Sequence, residues 1–267
     1  MTWEGQEPNL PSILLNSHMD VVPVFEKSWN YPPFEARIVD GVIYARGVQD
    51  MKSVAVQYIE AIRRLKTKGV TFKRTIHLSF VPDEEIGGRN GMAKFVKTEH
   101  FKKLNVGFAL DEGLASPNED YLVFNSERSI WHINVNCPGK SGHGSLLLPD
   151  NCGEKIKNWC KEAGANVTYD FDQKDAYVDP TPVDNTNQYW HAFKSAVDKL
   201  KIKLKLRTFP GGTDSRFIRE EGTKALCFSP LRNTVPGLHE HNESLAVSVF
   251  LEGIKTYEEI IPAIANV

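Results

Sequence analysis

The sequence lacks the features that mark secreted, membrane-spanning and nucleic-acid-binding proteins. Its 267 residues carry a formal net charge of −2, which predicts no basic surface for a nucleic acid or an anionic membrane. The apolar runs are short and interrupted, and none approaches the length of a membrane-spanning helix. The opening residues MTWEGQEPNLPS contain neither the basic nor the apolar region of a signal peptide. We therefore expect a cytoplasmic protein that binds neither nucleic acid nor membranes.

Cysteine is also scarce. The four cysteines, Cys137, Cys152, Cys160 and Cys227, form no Cys-x-x-Cys pair. This spacing argues against a thiolate zinc site and against a disulfide framework. The rest of the composition, with 41% hydrophobic and 25% charged residues, suffices for a packed core in one large or two modest domains.

Strand-like and helix-like segments alternate along the first half of the chain. Short apolar runs predict strands at 13–17, 42–46, 75–81 and 106–110. Apolar residues at helical spacing predict helices at 51–69 and 91–104, and Asp50 is a candidate N-cap for the first of them. Such alternation is typical of βαβ units, so we predict an α/β fold with a mainly parallel sheet flanked by helices.

The second half is less regular. Two strand-like runs without an intervening helix occupy 121–136, and a loop with glycine and proline follows at 137–151. The later segments predict a helix at 152–164, a strand at 167–171, a helix at 187–200, a glycine-containing loop at 206–222, a strand at 224–230 and a closing helix at 243–264.

Acidic and histidine side chains stand directly after several of the predicted strands. Ligands of an open parallel sheet bind beyond the carboxyl ends of its strands, so we expect these side chains at one rim. Crowded carboxylates repel one another unless a cation or a proton compensates them. Two histidines with three or four carboxylates suit a pair of zinc ions that each keep an open position. The residues concerned are His18 and Asp20, Asp50, Asp83, Glu84 and Glu85, Asp111 and Glu112, and His239 and His241.

Each of these segments also has a purely structural interpretation. His18 and Asp20 could form an ordinary strand end, and Asp50 could be no more than a helix cap. The acids at 83–85 and at 111–112 could be surface turns, and the histidines of LHEHNE could be surface residues. The agreement of five segments on one rim favours the metal-site hypothesis.

Seven motifs follow one another along nearly the whole chain: SHMDVVP, ARGVQDMK, VPDEEIGG, FALDEG, PGKSGHGS, GGTDSRF and LHEHNE. In sequence and in order they resemble the motifs of the aminoacylase-1 group of the M20 metallopeptidase family. The stretches SILLNSHMDVVPV, YARGVQDMK and FVPDEE resemble aminoacylases more than dipeptidases. The resemblance implies a zinc-dependent hydrolase of N-acyl-L-amino acids with two Zn²⁺ per chain.

The resemblance also implies the metal ligands. His18 and Glu112 would hold one zinc ion, and Glu85 and His239 would hold the other. Asp50 would bridge the two ions. His239 is preferred to its neighbour His241 because the spacing His-x-x-x-Glu within HEHNE matches the family pattern.

Two further acids receive roles from the same resemblance. Asp20 would accept a hydrogen bond from the His18 ring and so fix its tautomer. Glu84 would be the general base, which takes a proton from the attacking water and delivers it to the leaving amine. Adjacent Glu84 and Glu85 can have different roles because neighbours on an irregular turn point in different directions.

The motif GGTDSRF resembles the family's substrate loop. Gly211 and Gly212 would permit close approach of the main chain, and Thr213 would offer a hydroxyl. Arg216 could pair bidentately with a substrate carboxylate. A plain glycine turn, in which Asp214 and Arg216 satisfy one another, is the alternative interpretation.

His143 in SGHGS matches a family histidine that polarises the scissile carbonyl of the partner subunit's substrate in a homodimer. The family also has a segment before the strand that carries His18, and an inserted α+β lid and dimerisation domain. Much of both is expected to be absent here, with a junction at Asn151–Cys152. The expected organisation is a first part of the catalytic zinc-binding domain at 1–125, a lid remnant at 126–165, and a second part at 166–267.

The sequence therefore predicts hydrolysis of N-acyl-L-amino acids to a carboxylate and a free amino acid, with low or no turnover because most of the lid and of the dimer interface is missing. The alternatives are an M20-type dipeptidase or carboxypeptidase, and a truncated zinc-binding form without catalysis.

Overall fold

The computed structural model describes residues 1–136, 154–165 and 167–267. The described chain divides into two compact units, one made of Met1–Arg128 with Val178–Val267 and the other of Ser129–Tyr177. His143 and the expected junction Asn151–Cys152 lie outside the described residues.

The described residues form twelve strands and seven α-helices. The strands are β1 (Thr2–Trp3), β2 (Ser12–His18), β3 (Arg37–Val39), β4 (Val42–Tyr44), β5 (Ile76–Val81), β6 (Val106–Asp111), β7 (Tyr121–Glu127), β8 (Trp131–Asn136), β9 (Thr168–Lys174), β10 (Leu204–Phe209), β11 (Lys224–Phe228) and β12 (Ser244–Ala246). The helices are α1 (Lys52–Thr67), α2 (Met92–Phe95), α3 (Glu99–Leu104), α4 (Glu154–Ala163), α5 (Gln188–Lys199), α6 (Ser215–Glu220) and α7 (Val247–Ala265).

The first unit is built on a seven-stranded sheet in the order β1-β5-β2-β6-β11-β7-β10, counted over the described residues. Strand β2 pairs in parallel with both β5 and β6, and β6 pairs in parallel with β11. Only the pairs β1–β5 and β11–β7 of this sheet are antiparallel within the described chain. This arrangement confirms the predicted α/β fold with a mainly parallel sheet.

The central strands are covered on both faces. Along β2, Ile13 and Leu15 enter one apolar cluster with residues of α1, α5 and α7, whereas Leu14 enters a second cluster with residues of α2, α3 and α6. Successive side chains of a strand point to opposite faces, so the short run Ile13–Leu15 serves both clusters. Strand β2 is buried along its whole length and ends at His18, so this histidine is held by a strand packed on both sides.

Helix α1 follows the predicted spacing closely. Val54, Tyr58, Ala61, Ile62 and Leu65 are buried along one face. The residue before the helix is Met51, and no side chain caps this end. The helix-cap interpretation of Asp50 is therefore wrong.

Three other expectations need correction. The predicted helix 91–104 is two short helices, because the Thr98 hydroxyl accepts a hydrogen bond from the Phe101 N–H and starts α3 anew. The predicted loop 206–222 contains the end of β10 and all of α6, since the alternating apolar residues of LKLRTF pair in parallel with β7. The predicted strand 42–46 is real over Val42–Tyr44, but it lies in a separate antiparallel sheet, β12-β4-β3.

The second unit contains the antiparallel pair β8–β9 and helix α4. Strand β9 belongs to this unit, although the sequence places it with the second part of the catalytic domain. The identity of the segment as a lid remnant stays a prediction. Across the described ranges of both units, no helix is both long enough and apolar enough to cross a bilayer.

Gly113 lets two strand ends approach closely beside Glu112. Its N–H donates to Ser229 Oγ at 2.9 Å, and a Cβ built at this position would lie 2.4 Å from the Ser229 main-chain nitrogen. Main-chain atoms cannot move aside as a flexible side chain can.

We expect Gly113→Ala to lower the free energy of unfolding by about 1–3 kcal/mol, because the added methyl group overpacks the contact with β11. Urea unfolding followed by circular dichroism measures the change. Gly211→Ala is the matched control, since its Cβ would meet nothing closer than Phe209 Cε1 at 3.6 Å. Equal destabilisation by the two substitutions would contradict this account.

Candidate metal centre

The predicted site residues of the first unit meet at the carboxyl edge of the parallel strands. His18 is the last residue of β2, and Glu112 follows β6 directly. Glu84 and Glu85 lie on the turn after β5. The two remaining members come from loops, Asp50 from the segment before α1 and His239 from the segment before β12. Candidate ligands for a metal thus come from five segments that are far apart in sequence.

His18, Asp50 and Glu112 form the first group of candidate ligands. His18 Nε2 lies 2.9 Å from Asp50 Oδ1 and 2.9 Å from Glu112 Oε2. One ligand atom of each residue falls within 4.8 Å of the others. His18 and Glu112 are buried, and among the described residues Glu112 Oε2 makes no hydrogen bond despite its nearness to the imidazole.

Asp50, Glu85 and His239 form the second group. His239 Nε2 lies 2.9 Å from Glu85 Oε2 and 3.3 Å from Asp50 Oδ2. The two oxygens of the Asp50 carboxylate therefore face different imidazoles, Oδ1 toward His18 and Oδ2 toward His239. A carboxylate in this position can bridge two cations.

Charges at the site call for positive compensation. Burial and the Asp50 charge raise the pKa of Glu112 well above its usual range. Burial lowers the pKa of His18, but contacts with Asp20, Asp50 and Glu112 outweigh it and raise the pKa strongly. Although burial favours its acid form, the two imidazoles lower the pKa of Asp50.

His18 Nε2 carries at most one proton and forms its hydrogen bond with Asp50 Oδ1, so Glu112 Oε2 in the first group is left without a donor within the described part of the chain. Neutral imidazole and carboxylate are ligands that zinc accepts. The donor sets of both groups therefore fit a divalent cation, with His18 and Glu112 at one, Glu85 and His239 at the other, and Asp50 shared.

Asp20 supports the site through both of its polar parts. Its main-chain carbonyl lies 3.0 Å from His18 Nδ1, whereas its carboxylate Oδ1 is 3.5 Å away. The carboxylate instead accepts the N–H groups of Glu84 and Glu85, each at 3.1 Å. The ring contact expected of the carboxylate is thus made more closely by the carbonyl, and the carboxylate holds the turn of the two glutamates.

Glu84 belongs to neither ligand group. The turn that carries it is irregular, since Asp83 has a φ of 64° and Gly87 a φ of 103°, and this lets adjacent Glu84 and Glu85 diverge. Burial, with the charge of Glu112, raises the pKa of Glu84 to about 10. Its Oε1 lies 3.9 Å from Arg216 Nη1.

Buried hydrogen bonds hold the glycine loop, the segment GGTDSRF that begins at Gly211. Arg216 is buried, and its guanidinium donates to the carbonyls of Thr213 at 2.5 Å and Gly87 at 3.0 Å. Thr213 is fully buried, with its hydroxyl 3.5 Å from Cys227 Sγ and 3.2 Å from the Ser215 N–H. Gly212 is partly exposed. Substrate contacts by Gly212, Thr213 and Arg216 stay predictions.

The solvated-turn interpretation of residues 111–112 is wrong. Both acids are buried, and Asp111 accepts hydrogen bonds from Asn16 at 3.0 Å and from Ser215 at 2.9 Å. His241 is not among the candidate ligands of the described chain, and its ring lies 6.1 Å from that of Phe25.

Four charged residues of the site surroundings, which form two buried ion pairs, were missed by the sequence reasoning. Glu127 is buried, pairs with Arg219 and accepts the Thr213 N–H, and burial raises its pKa to about 7. Arg46 and Glu243 form a second buried ion pair, 2.8 Å apart. Glu243 was visible only as the last letter of HEHNE, and Arg46 as part of ARGVQDMK.

Comparisons with known proteins identify the family of the chain. The model of Peptidase family M20/M25/M40 matches residues 14–263. Aminoacylase-1A of Rattus norvegicus is 41% identical over 339 residues, which cover 100% of this chain and 83% of the relative. Because this chain has 267 residues, the matched stretch of the relative is longer than the chain itself.

Solved structures show the same fold at low identity. Human carnosine dipeptidase 1 matches with a TM-score of 0.76 at 12% identity, covering 99% of this chain and 82% of that one. A dinuclear metal binding peptidase of the M20 family from Bacillus subtilis matches with a TM-score of 0.62 at 16% identity, covering 99% and 84%. The chain therefore belongs to peptidase family M20/M25/M40, a family of hydrolases, and is a homologue of aminoacylase-1.

Proposed function

We propose that this protein is a zinc-dependent amidohydrolase that cleaves N-acyl-L-amino acids to a carboxylate and a free L-amino acid. The carrying observation is the Asp50 carboxylate, whose two oxygens face the two ligand groups that contain His18 and His239. Similarity to aminoacylase-1 over the whole chain supports this substrate class.

Two zinc ions, when bound, would supply Lewis acidity that lowers the pKa of water and polarises the acyl carbonyl. Glu84 would take the proton of the attacking water and deliver it to the amine that leaves. Its buried carboxylate lies outside both ligand groups, and burial raises its pKa, which supports a role in accepting a proton. Asp20 would position Glu84 through the hydrogen bond from the Glu84 N–H.

The glycine loop would bind the carboxylate of the amino-acid product. Arg216 lies beside Glu84, so its positive charge lies close to the reacting amide. Gly212 and Thr213 would complete the contact through main-chain and hydroxyl groups.

Turnover is expected to be lower than in the longer aminoacylase relatives. The relatives' matched stretch exceeds the length of this chain, which supports a shortened lid around residues 126–165. A shorter lid would leave water in the site and weaken the electrostatic stabilisation of the transition state. A homodimer that supplies His143 to a partner site would be impaired for the same reason.

Neighbouring Glu84 and Glu85 provide a matched pair of substitutions. We expect Glu84→Gln to keep both zinc ions and to lower kcat for N-acetyl-L-methionine by about 10²- to 10⁴-fold, because only the general base is lost. We expect Glu85→Gln to lose about tenfold or more in affinity for one of the two zinc ions, because a ligand is lost. Zinc content by elemental analysis and hydrolysis are measured on the same sample.

The unaltered chain is the reference for both variants. Loss of zinc from Glu84→Gln would reassign Glu84 as a ligand. A folded, unaltered chain without zinc would refute the proposed metal-dependent reaction.

A substrate panel separates the proposed activity from the alternatives. We expect N-acetyl-L-methionine to be hydrolysed faster than dipeptides, and its amide, which lacks the carboxylate, to lose about 10-fold or more in kcat/KM because Arg216 loses its charged partner. Preference for dipeptides would favour the dipeptidase or carboxypeptidase reading. Two bound zinc ions with no hydrolysis of any member would favour a non-catalytic zinc-binding form.

A further inference from the structure

Glu243 is a buried acid that no part of the proposed reaction uses. Its side chain is 0% exposed, and each of its two oxygens accepts two hydrogen bonds. Oε2 accepts from Arg46 Nη1 at 2.8 Å and from the Gly47 N–H at 2.9 Å. Oε1 accepts from the Gln49 N–H at 2.6 Å and from the Asp50 N–H at 3.3 Å. One carboxylate thus fixes the main chain of the segment that ends at Asp50.

Arg46 extends the same contact to the other side. Its Nη1 binds Glu243, and its Nη2 lies 3.4 Å from the main-chain carbonyl of His239. The Gln49 side chain adds a second connection, since it donates to the Val235 and Ser244 carbonyls at 3.2 and 2.8 Å. These hydrogen bonds therefore connect the segment that contains Asp50 with the segment that contains His239.

His239 needs such support because its own side chain provides little. The side chain is 52% exposed, so few neighbours restrict its rotamers. Its φ of 64° lies in the left-handed region, which costs a residue with a Cβ about 1 kcal/mol or more. The position of the imidazole therefore depends on how firmly the surrounding main chain is held.

We propose that Glu243 and Arg46 are positioning residues that hold the second ligand group, formed by Asp50, Glu85 and His239, in the geometry that binds a cation. They act through the main chain of Asp50 and His239 and touch neither cation nor substrate. The inference rests on the proposed two-cation site and adds a determinant of cation affinity to it. The first group would be affected less, because Asp50 is its only member held by Glu243, whereas His18 ends β2 and Glu112 directly follows β6.

The test uses Glu243→Gln in the full chain. The glutamine has nearly the same size, but its NH₂ group must face Arg46 or main-chain N–H groups, so half of the acceptor set is lost. Apo-protein is titrated with Zn²⁺ by isothermal calorimetry, and Co²⁺ absorption reports ligand geometry. We expect one ion to bind as in the unaltered chain and the other to bind about 10- to 100-fold more weakly.

Glu127→Gln is the matched control. Glu127 is also buried against an arginine, Arg219, and its main-chain contact is with Thr213 of the glycine loop, not with a segment that carries a candidate metal ligand. It should lose stability on the same scale and still bind two zinc ions with unchanged affinities. A general loss of packing would affect both variants equally, whereas a positioning role separates them.

Should Glu243→Gln fail to fold, Arg46→Lys decides, since it keeps the charge but removes the second arm that reaches the His239 carbonyl. This variant too should lower the affinity for only one of the two cations. Two unchanged affinities in a folded variant, or an equal loss at both, would overturn the positioning role. An unaltered chain that binds no zinc would instead overturn the proposed function, so the two failures are distinguishable.

Discussion

The interaction on which the site depends is the placement of one carboxylate between two imidazoles. Asp50 presents Oδ1 to His18 and Oδ2 to His239, and each imidazole also meets a glutamate. Without positive compensation this concentration of acids would be costly, as the raised pKa of Glu112 indicates. The five candidate ligands nevertheless stay close together because each is held by a different segment of the first unit.

The parallel sheet accounts for the buried half of this arrangement. Strands β2 and β6 are neighbours, so His18 and Glu112 come together when their apolar residues pack on both faces of the sheet. The other half lies on loops and is held by two carboxylates that accept main-chain N–H groups. Glu243 holds the segment of Asp50, and Asp20 holds the turn of Glu84 and Glu85 through their N–H groups.

Much of this was predictable from the sequence, for identifiable reasons. The strand that ends at His18 and the amphipathic helix α1 have strong periodicity, and the candidate ligands follow predicted strands, where a parallel sheet collects them. Glu243 and Glu127 could not be predicted in the same way, because a buried acid and a surface acid look alike until the donors around them are known. Strand β10 was not predicted because the glycines that closely follow it are typical of a loop. Thr98 divided a predicted helix because a cap formed by one hydroxyl outweighs weak helical periodicity.

The candidate ligands also differ greatly in their separation along the chain. His18 and Glu112 precede the second unit, and His239 follows it. A cation held by Asp50 and His239 would therefore act as a cross-link that closes a loop of most of the chain. Closing so long a loop removes much conformational freedom from the unfolded chain, so cation binding would contribute to the cohesion of the first unit as well as to chemistry. Chelation would then lower the stability of the first unit without separating its parts, which the β6–β11 pairing still joins, and resistance to proteolysis would depend on metal supply.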